Sequence, residues 1–275
     1  MFEHLPSLRG FQPQFYTGGP SRFYLPLLYD LVATCLPRRV VILGWDSDVH
    51  FTLCQVVCEL GLKTDVISIR ECGENHASDD EEWQAGAARS DEFYRDVSRL
   101  IDLTTDASLA EFQDESVELF VVHDFVSLES ARLQFEAWKP KLSNSAIAVV
   151  HGVDADRAGG PRELWEIIRS RHAAELHLGN GVGITTGVEA PRSSLRAAIF
   201  GGDSACVGLA QLYAVVVERI DAAARAETTE RENRLLRLRQ IWQPTLLDDR
   251  VRMQETIDHL NRHIEHLTRV HDWEA

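Results

Sequence analysis

The feature of this 275-residue chain that most limits its fold is an alternation of short apolar runs with helical segments. Arg39-Val40-Val41-Ile42-Leu43-Gly44 is apolar, continuous and closed by glycine, the pattern of a strand buried on both faces of a parallel sheet. Further strands are predicted over 64–69, 117–122 and 146–150, with a closing pair around Leu176 and over 182–186. Helices are predicted over 23–36, ended by Pro37, and over 50–60, capped by Gly61. Others are expected over 89–101, after an acidic loop Asp79-Asp80-Glu81-Glu82, over 128–138, stopped by Pro140, and over 162–172. Strand–helix–strand repetition predicts an α/β fold with a doubly wound, mostly parallel sheet. Ligands of such sheets bind beyond the carboxyl ends of the strands.

Four segments follow from this pattern: an N-terminal arm and helix over 1–36, the α/β domain over 37–190, a connecting helix over 191–226 and a helical or coiled-coil tail over 227–275. Pro244 is expected to interrupt the tail helix. Beyond it Met253, Ile257, Leu260, Ile264 and Leu267 are spaced 4-3-4-3, a heptad seam. The seam lasts about two heptads, short for an isolated helix pair. It reads either as a dimerising surface or as a helix packed on its own domain.

Charge excludes one class of partner. The net charge is −15, and residues 225–275 contribute only −1 of it, so the acidity lies in the body of the chain. Such a body repels phosphate backbones, which argues against nucleic acid. No run of 18 apolar residues is present to span a membrane, and the first residues do not read as a signal peptide. The five cysteines form no CxxC pair and read as reduced, buried thiols, which predicts a cytoplasmic protein.

The strand ends carry the polar groups. Gly44-Trp45-Asp46-Ser47-Asp48 follows the first strand, Arg70-Glu71 the second, His123-Asp124 the run over 117–122, and His151-Gly152-Val153-Asp154 the run over 146–150. With the usual strand order these loops meet at one crevice. His123 or His151 there is able to serve as a general base, with Asp124 to orient it. Histidine with aspartate is also able to hold a divalent metal, but no ligand spacing points to one. Each histidine taken alone reads as a hydrogen-bonded structural group. A dinucleotide fingerprint needs several glycines in the first loop, whereas here Gly44 is followed by Asp46 and Asp48, which repel a diphosphate. A cofactor without phosphates meets less of this objection.

Several segments carry a more specific likeness: Cys54-Gln55-Val56-Val57, Gly73-Glu74-Asn75-His76-Ala77, Phe135-Glu136-Ala137-Trp138-Lys139-Pro140-Lys141-Leu142-Ser143, Leu164-Trp165-Glu166 and Gly179-Asn180-Gly181-Val182-Gly183. In order and spacing the chain from Phe23 to Val188 resembles the class I S-adenosylmethionine-dependent methyltransferases of bacterial surface-polysaccharide clusters, which are often fused through coiled coils to glycosyltransferases. The resemblance implies a Rossmann-like methyltransferase fold and S-adenosylmethionine as cofactor. It places the cofactor at Gly44, Asp46, Asp48 and Glu71, and of the catalytic candidates at the strand ends, His151, His123 and Asp124, it retains His151. It also implies a glycosyltransferase or another glycan-assembly enzyme as partner, whereas self-association as a dimer through residues 246–271 is what the apolar stripe itself predicts.

The departures are as informative. The second glycine of the family's first loop is Asp48 here, and the family's ribose-binding acid at the end of the second strand is Ile69. Each buried hydroxyl that loses its partner costs about 1–3 kcal/mol. Glu71, two residues on, is the available substitute. The family's Asp-Gly-x-His becomes His123-Asp124-Phe125-Val126, and its His-Asp becomes His151-Gly152. These losses imply a domain that kept its fold and gave up its chemistry, a pseudoenzyme serving as a scaffold. An active O-methyltransferase acting on a sugar hydroxyl is the alternative.

Overall fold

The computed structural model describes residues 5–70, 77–103, 105–123, 128–154, 160–187 and 194–271. They divide into two units, Met1–Asp221 and Ala222–Ala275. The first is built on a seven-stranded sheet in the order β3-β2-β1-β4-β5-β7-β6. Its strands are β1 (Arg39–Leu43), β2 (Asp65–Arg70), β3 (Ser98–Asp102), β4 (Val117–Val122), β5 (Leu142–His151), β6 (His172–Leu176) and β7 (Val182–Thr186). β1 to β5 pair in parallel, and β7 runs antiparallel to both β5 and β6.

The helices are α1 (Leu25–Cys35), α2 (Ser47–Glu59), α3 (Ala77–Phe93), α4 (Thr105–Leu109), α5 (Leu128–Trp138), α6 (Pro161–Ile168), α7 (Ser194–Ile199) and α8 (Asp203–His271). Alternate residues of a strand face opposite sides of its sheet, so β1 feeds two cores. Val40 and Ile42 join Leu27, Leu31, Phe51, Leu195 and Tyr213 on the face covered by α1, α2, α7 and the start of α8. Val41 and Leu43 join Phe120, Trp138, Leu164 and Trp165 on the face covered by α5 and α6. The architecture is the expected one: a doubly wound, mostly parallel Rossmann-like sheet with a C-terminal helix.

The structure departs from the sequence reading in four elements, α3, β3, α6 and α8. α3 occupies 77–93, including the stretch predicted as an acidic loop, and 98–102 is a strand rather than the end of a helix. Val97, Leu100 and Ile101 have the 3-1 spacing of a helical face, and a five-residue edge strand offers no longer pattern to oppose it. α6 stops at Ile168, leaving 172–176 to β6. α8 runs through Pro244 without a break. A proline removes one backbone donor, about 3 kcal/mol against the helix, but the ladder resumes on both sides.

The arm before α1 is irregular apart from two single 3-10 turns, Pro6–Arg9 and Pro20–Phe23. It is fastened at both ends. Asp30 of α1 accepts from the Ser7 amide at 2.7 Å, the Ser7 hydroxyl at 2.6 Å and the Tyr213 hydroxyl of α8 at 3.1 Å. The Arg219 guanidinium donates to the carbonyls of Ser7, Leu8 and Phe11 at 3.0, 3.3 and 3.1 Å. Asp221 accepts from the Tyr16 hydroxyl and pairs with Arg22. No helix among the described residues is long and apolar enough to cross a membrane.

Candidate functional site

β1, β4 and β5 lie side by side, with Leu43 opposite Val122 and Val122 opposite Val150. This register brings the residues after their carboxyl ends together. Gly44 has φ 92°, a left-handed conformation that glycine adopts without strain, and it turns the chain from β1 toward α2. Asp46 then caps α2, its Oδ1 accepting from the Val49 amide at 2.9 Å. Its Oδ2 stands 3.2 Å from His123 Nε2. The other ring nitrogen of His123, Nδ1, is 2.8 Å from the Tyr24 hydroxyl.

The proton positions follow from burial. Tyr24 is fully buried, and burial, followed by the charges of Asp46 and Asp48, pushes its phenol well above the usual range. The phenol therefore stays protonated and donates to Nδ1. Nε2 then carries the ring proton and donates to Asp46. Both ring nitrogens of His123 are thus engaged within the chain, by Tyr24 and by Asp46. His151 lies parallel to His123, with ring centroids 5.6 Å apart and planes at 4°, and it also stacks on Tyr24 at 4.7 Å. Its Nε2 is buried and without a hydrogen-bond partner among the described residues. Burial first, then the neighbouring His123, lowers its pKa to about 4, against a smaller opposing pull from Asp46. At neutral pH it is an uncharged and weak base.

The sequence brought Asp46, His123 and His151 to one place, and the structure joins them there. It did not anticipate Tyr24, whose hydroxyl connects residues 99 positions apart. Tyr24 stands at the head of a helix whose sequence displays only an apolar stripe. Asp124 and Glu71 lie outside the described residues.

The remaining cofactor positions are taken up by the chain itself. Asp48 is 1% exposed. Its carboxylate accepts from the Thr17 amide at 2.8 and 3.1 Å and from the Thr17 hydroxyl at 2.8 Å, so the arm covers it. Trp45 packs edge-on against Trp83 of α3 at 5.0 Å, and the Arg70 guanidinium lies 4.8 Å over Trp83. A Cβ on Gly86 would overlap the Trp45 ring, so α3 can approach only because that residue is glycine. Ile69 is 5% exposed, and its carbonyl accepts from the Gly44 amide at 3.0 Å. Ile69 offers no side-chain acceptor at the end of β2, and Asp48 and Trp45 occupy the start of α2 and its loop, so these three do not match the S-adenosylmethionine contacts that the resemblance implies. Among the described residues no group of three His, Cys, Asp or Glu side chains is placed to hold a metal.

Comparison with known proteins gives limited likeness. No family profile matches the chain. A curated protein of Sinorhizobium fredii, the uncharacterised y4gI, is 28% identical over 190 residues, which is 66% of this chain. The chain spans only 21% of that relative's length. Among solved structures, the O-methyltransferase TomG from Streptomyces achromogenes, in complex with S-adenosylmethionine, is similar at TM-score 0.45 and 17% identity over 64% of this chain and 83% of its own. A methyltransferase from Geobacter sulfurreducens is similar at TM-score 0.44 and 18% identity, over 58% of this chain and 76% of its own.

Proposed function

We propose that this chain is a methyltransferase-like domain that has lost catalysis and serves as a scaffold in surface-glycan assembly. The observation that carries the reading is the cover over the first loop: Asp48, where the family has glycine, is buried and held by Thr17. The engaged nitrogens of His123 and the low basicity of His151 support it. The glycan setting rests on the sequence resemblance alone. Isothermal titration with S-adenosylmethionine and S-adenosylhomocysteine tests the loss of cofactor binding. No heat at millimolar ligand is expected, and micromolar affinity would overturn the reading.

A second reading is an active O-methyltransferase acting on a sugar hydroxyl. It is favoured by the unpartnered Nε2 of His151 at the end of β5. Micromolar cofactor binding that persists in Thr17→Val would move the balance to it. The double variant Ile69→Asp, Asp48→Gly restores the family's acid and glycine. If it gains affinity, the pocket lacks only those two groups. If it gains none, Trp45 and the arm exclude the ligand by volume.

A further inference from the structure

In α8 the heptad positions can be assigned residue by residue. Met253, Leu260 and Leu267 fall at d, and Ile257 and Ile264 at a. Isoleucine at a with leucine at d is the combination that favours two parallel strands over three or four. The described members of this stripe are exposed: Met253, Ile257 and Leu260 at 68%, 45% and 54%. The charges are sorted by the same register. Between 252 and 267 every Asp, Glu and Arg (Arg252, Glu255, Asp258, Arg262 and Glu265) stands at b, c or f, on the outer face. The e and g positions that border the seam are Gln254, Thr256, Asn261 and His263.

We infer that residues 253–267 pair with the same residues of a second copy of this chain, as a parallel, in-register, two-stranded coiled coil. Like charges facing each other at e and g oppose self-pairing. A border without carboxylates, lysines or arginines puts no such obstacle between identical helices at neutral pH. The seam has five layers, so the dimer is weak and depends on concentration. Above the seam, a-position Arg250 places like charges opposite each other and sets its upper limit. The inference stands independently of cofactor binding.

Sedimentation equilibrium of the full chain, from low to high micromolar concentration, reads it directly. The expected mass rises from one chain to two. The variant Ile257→Asp with Leu260→Asp should stay at one chain throughout, with the near-ultraviolet circular dichroism of the sheet unit unchanged. A wild type that is monomeric at every concentration overturns the inference, as does a trimer. An unchanged dimer in the double variant also overturns it, by placing the interface elsewhere. Orientation is read with Met253→Cys and a short bismaleimide, using wild type as the background for its own cysteines. Rapid linkage of two Met253→Cys chains to each other is expected, and linkage only in a mixture with Leu267→Cys would show an antiparallel pair.

Discussion

Asp30 and His151 are buried groups whose ionisation the fold resists, with opposite consequences for acid. Burial raises the Asp30 carboxyl from 3.8 to about 6, outweighing the hydrogen bonds from Ser7 and Tyr213 that lower it. A carboxyl raised in the folded state stabilises below its unfolded pKa, and the contribution is lost as pH rises through about 6. His151 is lowered from 6.5 to about 4, so its contribution is full above 6.5 and is lost as pH falls through about 4. Each shift corresponds to about 3 kcal/mol. Between pH 4 and 6.5 the two slopes oppose each other. Urea unfolding of Asp30→Asn across that window should show stability falling more steeply on acidification than wild type. His151→Gln should show the reverse. Parallel pH profiles for all three proteins would mean that neither group keeps its stated burial. At this scale the sequence revealed the histidines and Asp46, because they directly follow apolar strands. It held no sign of Asp30, which sits among leucines in α1 and whose partners come from residues 7 and 213.

Among the elements, β1, β4 and β5 were legible because these central strands carry continuous apolar runs, and β2 and the pair β6 and β7 were legible from shorter ones. β3 was not, since this five-residue edge strand lacks alternation and its apolar residues fall at helical spacing. The close packing of α3 on the first loop was equally hidden, because it depends on a glycine rather than on an apolar pattern. Gly86→Ala makes that packing measurable. On an exposed helix the change would stabilise by about 1 kcal/mol. Here the new methyl meets the Trp45 ring, and a loss of about 1–3 kcal/mol is expected in denaturant unfolding, as for other overpacked sites. Adding Trp45→Ala should remove the penalty of the glycine substitution, and a gain from Gly86→Ala alone would place Trp45 elsewhere. The arm offers a second test. Arg219→Ala leaves the carbonyls of Ser7, Leu8 and Phe11 without that donor. Amide hydrogen exchange over 7–16 should quicken while that of β1 and β4 is unchanged. Uniform exchange changes across the sheet would instead make Arg219 part of the global fold.

For the whole molecule, the sequence conveyed the kind of sheet, but not that the start of α2 is covered by the chain's own arm. That cover depends on long-range contacts, and nothing periodic in a sequence records them. The last strand is complete at Thr186, yet Tyr213, Arg219 and Asp221, which hold the arm, come later. A ribosome adds about 5–20 residues each second, so the nascent sheet exists for a time without these anchors. Chains released early, with every strand but not residue 221, would carry an unfastened arm and an exposed start of α2. A segment synthesised before every strand is thus among the last to reach its place.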